Sequence, residues 1–288
     1  MKEYRKYDDV SLKKLKMELL EIFKVFDKLC RKYEINYFAT AGTLLGAIRH
    51  GGFIPWDDDL DIGMLRADYE KFLKIPPEEF KGYGLCAPEI TPGEYYSFVT
   101  KFYKKGTKFI TPISYVDNKM NMGIFIELFP FDDVEDKNAN LEKQIKKVNR
   151  IKNFYTTAAC DNIIVFDSGI KGSIKKLIKR IVKMYLRITR NDLNKLTSDY
   201  IKTINVNLNS EMAYAFSDVG HLIKKAGVES TEYRKFEDTQ ILVPKDYDMV
   251  LKGLYGSNYM QLPPEEKRWN QAPIYIQFSD GSCADFSE

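Results

Sequence analysis

Residues 42–61 read GTLLGAIRHGGFIPWDDDLD and place glycines, two basic side chains and four carboxylates within twenty positions. In an extended strand, side chains alternate between faces, so Asp57, Asp59 and Asp61 would point one way while Asp58 and Leu60 point the other. Three carboxylates converging on one volume repel and raise one another's pKa unless a cation lies among them. An all-oxygen donor set suits a hard divalent ion, Mg²⁺ or Mn²⁺, and Asp57, Asp59 and Asp61 are the candidate ligands. Upstream, the apolar run Tyr37-Phe38-Ala39 feeds Gly42 and Thr43, a strand-to-turn pattern whose backbone N–H groups can hold a phosphate. Arg49 and His50 lie on the connection to the acids and add charge-assisted contacts. An isolated acidic run after a proline more often forms a solvated turn, and Trp56 has a ready role as a packing anchor. Only the combination of glycine turn, basic connection and spaced acids favours a phosphate and metal site.

A further carboxylate is expected from a separate strand. The run Gly123 to Pro130, GIFIELFP, is apolar and carries one charge, Glu127, and it is expected to end at Pro130. A carboxylate in a buried strand must be paired, protonated or metal-bound. Both a site role and a structural ion pair are open to Glu127, and Asp132 and Asp133 follow as weaker candidates.

These segments together resemble the LicD family. GTLLGAIRHGGFIPWDDDLDIGM is similar to that family's signature, of which fukutin-related proteins share the acidic part. GIFIELFPFDDV resembles the second acidic strand, and YGSNYMQLPPEEKR the C-terminal segment. The resemblance implies a nucleotidyltransferase-like fold, a divalent metal, and transfer of a substituted phosphate from a CDP-activated donor to a glycan hydroxyl. In bacteria the usual case is phosphocholine from CDP-choline. It carries the metal role onto Asp57, Asp59 and Asp61, the catalytic role onto Asp59 and Asp61, and the phosphate turn onto Gly42 and Thr43. Glu127 stands where the family commonly has Asp, so it is either a metal ligand or the base, with Asp132 as the other candidate base. Lys101 and Glu237 are candidate donor contacts. Two family histidines correspond to about Asn270 and Gln271 here, which removes ionisable groups. Two other classes fit the same residues: a nucleotidyltransferase that transfers NMP and releases pyrophosphate, and a non-catalytic glycan- or membrane-binding relative.

The elements that must position these residues are legible in outline. Leu12, Leu15, Leu19, Phe23, Phe26 and Cys30 recur at helical spacing, predicting a helix capped by Ser11. Strands are expected over 35–40 and 58–64, short helices over 44–49 and 68–74, and a hairpin about Lys105-Gly106 with Lys101 and Lys108 on its strands. Asp246 to Tyr255 reads as a helix ending at Gly256. The fold class is α/β (α+β): a nucleotidyltransferase-like mixed sheet flanked by helices. Its expected parts are a catalytic core over 1–135, a helical basic insertion over 136–230, and a C-terminal segment, 231–288, that completes the core.

Within the insertion, residues 169–190 carry eight Lys or Arg and no acid. Ile174, Leu177, Ile178, Ile181, Tyr185 and Ile188 fall at helical spacing. Such a helix either lies on an anionic membrane surface, residues 171–190 then making peripheral contact, or packs its apolar stripe on the domain.

Composition narrows the class. The net charge of +3 over 288 residues argues against bulk nucleic-acid binding. Four cysteines without a CxxC pair and two histidines make zinc or a disulfide framework improbable. No apolar run suggests a signal peptide or membrane span, so a cytoplasmic protein, peripheral at the inner face of the plasma membrane if 171–190 binds there, is the expectation. The 19 Tyr, 18 Phe and 2 Trp would permit an aromatic cage for a choline head group without locating it.

Overall fold

The computed structural model describes residues 5–117, 122–134, 138–165, 167, 169–204, 210–217, 220–268, 270 and 272–287. Gln271 lies outside them. The first element is helix α1, Asp9–Lys32. Its cap is Asp8, whose carboxylate accepts from the Ser11 N–H at 2.9 Å, so Ser11 is the third helical residue and not the cap. The spacing of Leu15, Leu19, Ile22, Phe23, Phe26 and Cys30 gives α1 one buried stripe.

That stripe packs on a mixed sheet. Strand β1, Phe38–Ala39, leads directly into α2, Ala41–Arg49, and β2, Asp61–Leu65, leads into α3, Arg66–Leu73. Strands β3, Tyr83–Cys86, β4, Thr100–Lys104, and β6, Phe125–Val134, give the order β1-β2-β6-β4-β3. Among the described residues only β2 and β6 pair in parallel, and their register sets Asp61 opposite Glu127. On the other edge of β6, antiparallel β4 sets Lys101 opposite the same Glu127. One row across three strands therefore holds Asp61, Glu127 and Lys101. Gly63 in β2 lets the Phe38 ring approach closely, since a Cβ there would lie 2.3 Å from it.

Two expectations need correction. Strand β6 does not stop at Pro130 but runs to Val134. Pro130 falls between the β4 pairing, which ends at Leu128, and the pairing of Asp132 to Val134 with β7, Met212–Tyr214, so its missing N–H breaks no bond on that edge. The hairpin about Gly106 also does not form a ladder. Both edges of β4 are occupied, by β3 and β6, and β5, Lys108–Ile110, pairs with β11, Tyr275–Gln277. Strand β2 begins at Asp61, three residues later than expected.

The helices α5, Asn138–Ala159, α6, Gly169–Ile188, and α7, Leu193–Ile204, follow β6. Helices α5 and α7 enclose a second apolar cluster, in which the Phe98 ring lies 3.9 Å from Tyr200 and 4.4 Å from Tyr155 between ring centres. The chain then returns to the first core. The hairpin of β9, Thr231–Phe236, and β10, Thr239–Pro244, buries Phe236, Ile241 and Val243 there, and α9, Tyr247–Tyr255, follows with Asp246 as cap and Gly256 at its end.

Phe98 joins the helical layer to the loop before β4. Changing Phe98 to Ala is expected to cost about 3–5 kcal/mol in urea unfolding, the usual cost of emptying a buried aromatic site. A loss below about 1 kcal/mol would show that the layer is anchored elsewhere.

Candidate active site

Asp57, Asp58 and Asp59 do not sit on a strand. The Asp57 N–H donates to the Ile54 carbonyl at 3.0 Å, closing a turn over 54–57. In a turn the side chains do not alternate, and one carboxylate oxygen from each of Asp57, Asp58 and Asp59 falls within 4.8 Å of the others. Strand parity therefore misassigns Asp58, which belongs to the cluster. Asp61, the first residue of β2, stands beside it and acts on Asp59 through its charge.

The cluster lies on the floor of a cleft of about 820 Å³, lined also by Gly42, Arg49, Trp56, Glu127, Tyr255 and Tyr259. Asp59 is exposed to this cleft. Enclosure, followed by the charges of Asp61, Asp57, Asp58 and Glu127, pushes its carboxyl well above the usual range. Burial and the neighbouring Asp57 push Asp58 up to about 6, with Tyr7 opposing. Burial raises Asp57 as well, with Lys16 opposing. Burial and the same acids push the Tyr255 hydroxyl up to about 12.

The surrounding elements hold this repulsive set in place. Helix α2 starts with no side-chain cap, and Ala41 takes a left-handed φ of 46° to turn the chain from β1 into it. At Gly42 a Cβ would lie 2.6 Å from Asp57 Oδ2, so only glycine lets α2 approach the acid this closely. The Thr43 hydroxyl accepts from the Asp61 N–H at 2.8 Å and fixes the turn into β2. Lys16 donates to the Ile54 and Pro55 carbonyls at 2.9 and 2.8 Å, bracing the acidic turn from α1. Lys101, only 3% exposed, forms an ion pair with Glu127 and lies over the Phe125 ring at 3.5 Å. Arg49 donates to the Tyr259 and Gln261 carbonyls at 3.0 and 3.2 Å, tying the segment after α9 to α2 as one wall. Asn270 lines the opposite side, accepting from the Tyr7 N–H at 3.2 Å.

The structure thus brings Gly42, Arg49, Asp57, Asp59 and Glu127 to the cleft, with Thr43, Asp61 and Lys101 directly behind. It places three predicted residues elsewhere. Asp132, 2% exposed, binds Arg66 through two bonds of 2.6 and 2.9 Å, so its carboxylate is committed to an ion pair below β2 and is no base. Glu237 accepts from the Phe53 N–H at 2.8 Å and packs against Gly52, on the far side of the 51–53 loop. His50 is exposed, accepts from Arg49 and meets Trp56 edge-on, outside the cleft lining. Sequence reasoning missed Asp58, Lys16, Tyr255, Tyr259 and Arg268, whose guanidinium lies 5.3 Å from the Trp56 ring centre. For Lys16 and Arg268 no signal exists, because only the packing of distant elements brings them here.

The donor set fits a hard divalent cation: three carboxylates within reach of one ion, all oxygen, at raised pKa values that a cation would reverse. Two contrasting outcomes are expected. Mg²⁺ or Mn²⁺ raises the melting temperature, and Asp59→Asn abolishes that rise. Because a carboxyl whose folded-state pKa is raised destabilises the fold increasingly as pH rises above its unfolded pKa, Asp59→Asn is also expected to melt above the parent at pH 7 without metal. Asp132→Ala removes both short bonds to Arg66, leaving it Glu89 at 3.6 Å, and is expected to lower stability by about 3 kcal/mol while leaving the metal response intact. An unchanged metal response in Asp59→Asn would refute the assignment.

Residues 34–159 match the nucleotidyltransferase domain of LicD, FKTN and FKRP proteins. The lipopolysaccharide cholinephosphotransferase LicD of Haemophilus influenzae is 29% identical over 274 residues, covering 93% of this chain and 97% of that protein. An uncharacterized protein of Rickettsia typhi is 40% identical over 114 residues, 38% of this chain and 35% of its own length. The human ribitol 5-phosphate transferase FKRP is 50% identical over 34 residues, 12% of this chain and 7% of that protein.

Proposed function

The chain carries the LicD-family nucleotidyltransferase domain, and on that premise we propose that it transfers a substituted phosphate from a CDP-activated donor to a glycan hydroxyl, releasing CMP. The observation that carries this reading is the carboxylate cluster on the floor of a cleft large enough for a nucleotide diphosphate, directly beneath the start of α2. Asp57, Asp58 and Asp59, with Asp61 and Glu127 beside them, would hold Mg²⁺ or Mn²⁺. Such an ion supplies charge neutralisation for the diphosphate and the leaving group.

The remaining chemistry falls to the chain itself. The first turn of α2, which has no side-chain cap, would offer backbone N–H groups to a phosphate. The acceptor hydroxyl oxygen attacks the phosphorus that bears the head group. The bond from that phosphorus to the CMP oxygen breaks, and CMP leaves with the electron pair. Asp132 has both oxygens on Arg66 and is 2% exposed, whereas Glu127 pairs with Lys101 through Oε1 and lines the cleft, so the proposed role of Glu127 is to take the hydroxyl proton when it is not itself holding the ion.

Phosphocholine from CDP-choline is the proposed cargo. The full-length similarity to a lipopolysaccharide cholinephosphotransferase supports it. So do the aromatic rings of Phe109, Tyr255 and Tyr259 in the cleft, since a quaternary ammonium binds to such faces. The acceptor would be a sugar of a cell-surface glycan, lipopolysaccharide or teichoic acid precursor. The test is mass spectrometry of products from CDP-choline, CDP-ribitol and CDP-glycerol with Mg²⁺ or Mn²⁺. CMP from CDP-choline is expected, lost by at least 10³-fold in Asp59→Ala with an unchanged far-UV spectrum. Pyrophosphate from a nucleoside triphosphate in place of CMP would overturn the reading in favour of NMP transfer.

A further inference from the structure

Helix α6 docks on the protein by its charged side. Lys183 donates to the Cys160 and Asp161 carbonyls at 2.7 and 2.9 Å, just past the end of α5, and Lys179 donates to the Ile164 carbonyl at 2.7 Å. Leu186 and Gly172 are buried on the same side. At 100° per residue these four positions lie within an arc of about 60°.

The apolar residues lie on the opposite arc. Ile174, Leu177, Ile178, Ile181, Met184 and Tyr185 are each 50–58% exposed, a high value for large apolar side chains adjacent on one face. They occupy about 120° of the helix, centred nearly opposite the docking side. Basic residues border this stripe on both flanks, Lys171 and Lys175 on one and Lys176, Arg180 and Arg187 on the other, and residues 169–191 contain no acid. Of these, Lys171 and Lys175 reach Asp167, whereas Lys176, Arg180 and Arg187 are exposed. No helix among the described residues is long and apolar enough to cross a membrane.

We propose that α6 is a membrane-docking helix that lies in the plane of an anionic phospholipid surface, its apolar stripe in the acyl boundary and its flanking cations at the headgroup phosphates. Charge complementarity selects this occupant. A second copy of the stripe would bring two all-basic helices side by side, whereas an anionic bilayer satisfies both the apolar face and its cationic borders. The proposal is independent of the transfer chemistry, so either can fail alone.

The test is co-sedimentation of the full chain with phosphatidylglycerol vesicles and with phosphatidylcholine vesicles. Binding to the former, at least tenfold weaker to the latter and weakened by salt, is expected. Ile174→Gln/Ile178→Gln/Ile181→Gln and, separately, Lys176→Glu/Arg180→Glu/Arg187→Glu should each reduce binding at least tenfold with an unchanged melting temperature, since all six side chains are exposed. Loss in the charge variant alone would mean non-inserted electrostatic attraction and would overturn the proposal. So would undiminished binding in both variants, or self-association removed by the isoleucine variant without vesicle binding.

Discussion

Mutual repulsion among carboxylates in the cleft is the constraint around which the rest of this fold is arranged. Asp57, Asp58 and Asp59 share a volume less than 5 Å across, with Asp61 and Glu127 adding their fields to Asp59. Left alone, such a turn would splay open into solvent. It is held by backbone: the Asp57 N–H to the Ile54 carbonyl, the Asp61 N–H to Thr43, and Lys16 on two carbonyls of the same turn. None of these bonds uses a carboxylate oxygen of the acids. Positive charge is supplied at a distance, by Lys16 and by Lys101 through Glu127. Stability is sacrificed locally for a site that a cation would relax, the pattern expected where function and folding compete.

The sequence shows the ingredients of this site more plainly than their arrangement. Types and spacing identify Gly42, the acids and Glu127, because a glycine turn, an acidic run and one charge in an apolar strand are local signals. Parity fails at Asp58 for an equally local reason: Pro55 and Trp56 end in a turn, and alternation starts only at Asp61. Asp132 looked available because its partner, Arg66, is 66 residues away. Lys101 acquires a role only when β4 is set beside β6 in a register that no short-range pattern encodes. Pro130 likewise reads as a strand end until the change of partner from β4 to β7 becomes visible.

Helix α6 shows the same limit in a different form. Amphipathic spacing states that two faces exist, but which one meets the protein depends on what the neighbour offers. The neighbour here is the segment just past the C-terminal end of α5, whose Cys160, Asp161 and Ile164 carbonyls accept from α6. Carbonyls at a helix C-terminus attract lysine ammonium groups, through hydrogen bonds and through the negative end of the helix dipole. Lys183 answers that demand at Cys160 and Asp161. Once the basic side is turned inward by this contact, geometry leaves the isoleucines no choice but to face outward. The usual inference, that an apolar stripe is the docking face of a surface helix, is reversed by the two lysines of α6 that reach the carbonyls of the segment following α5.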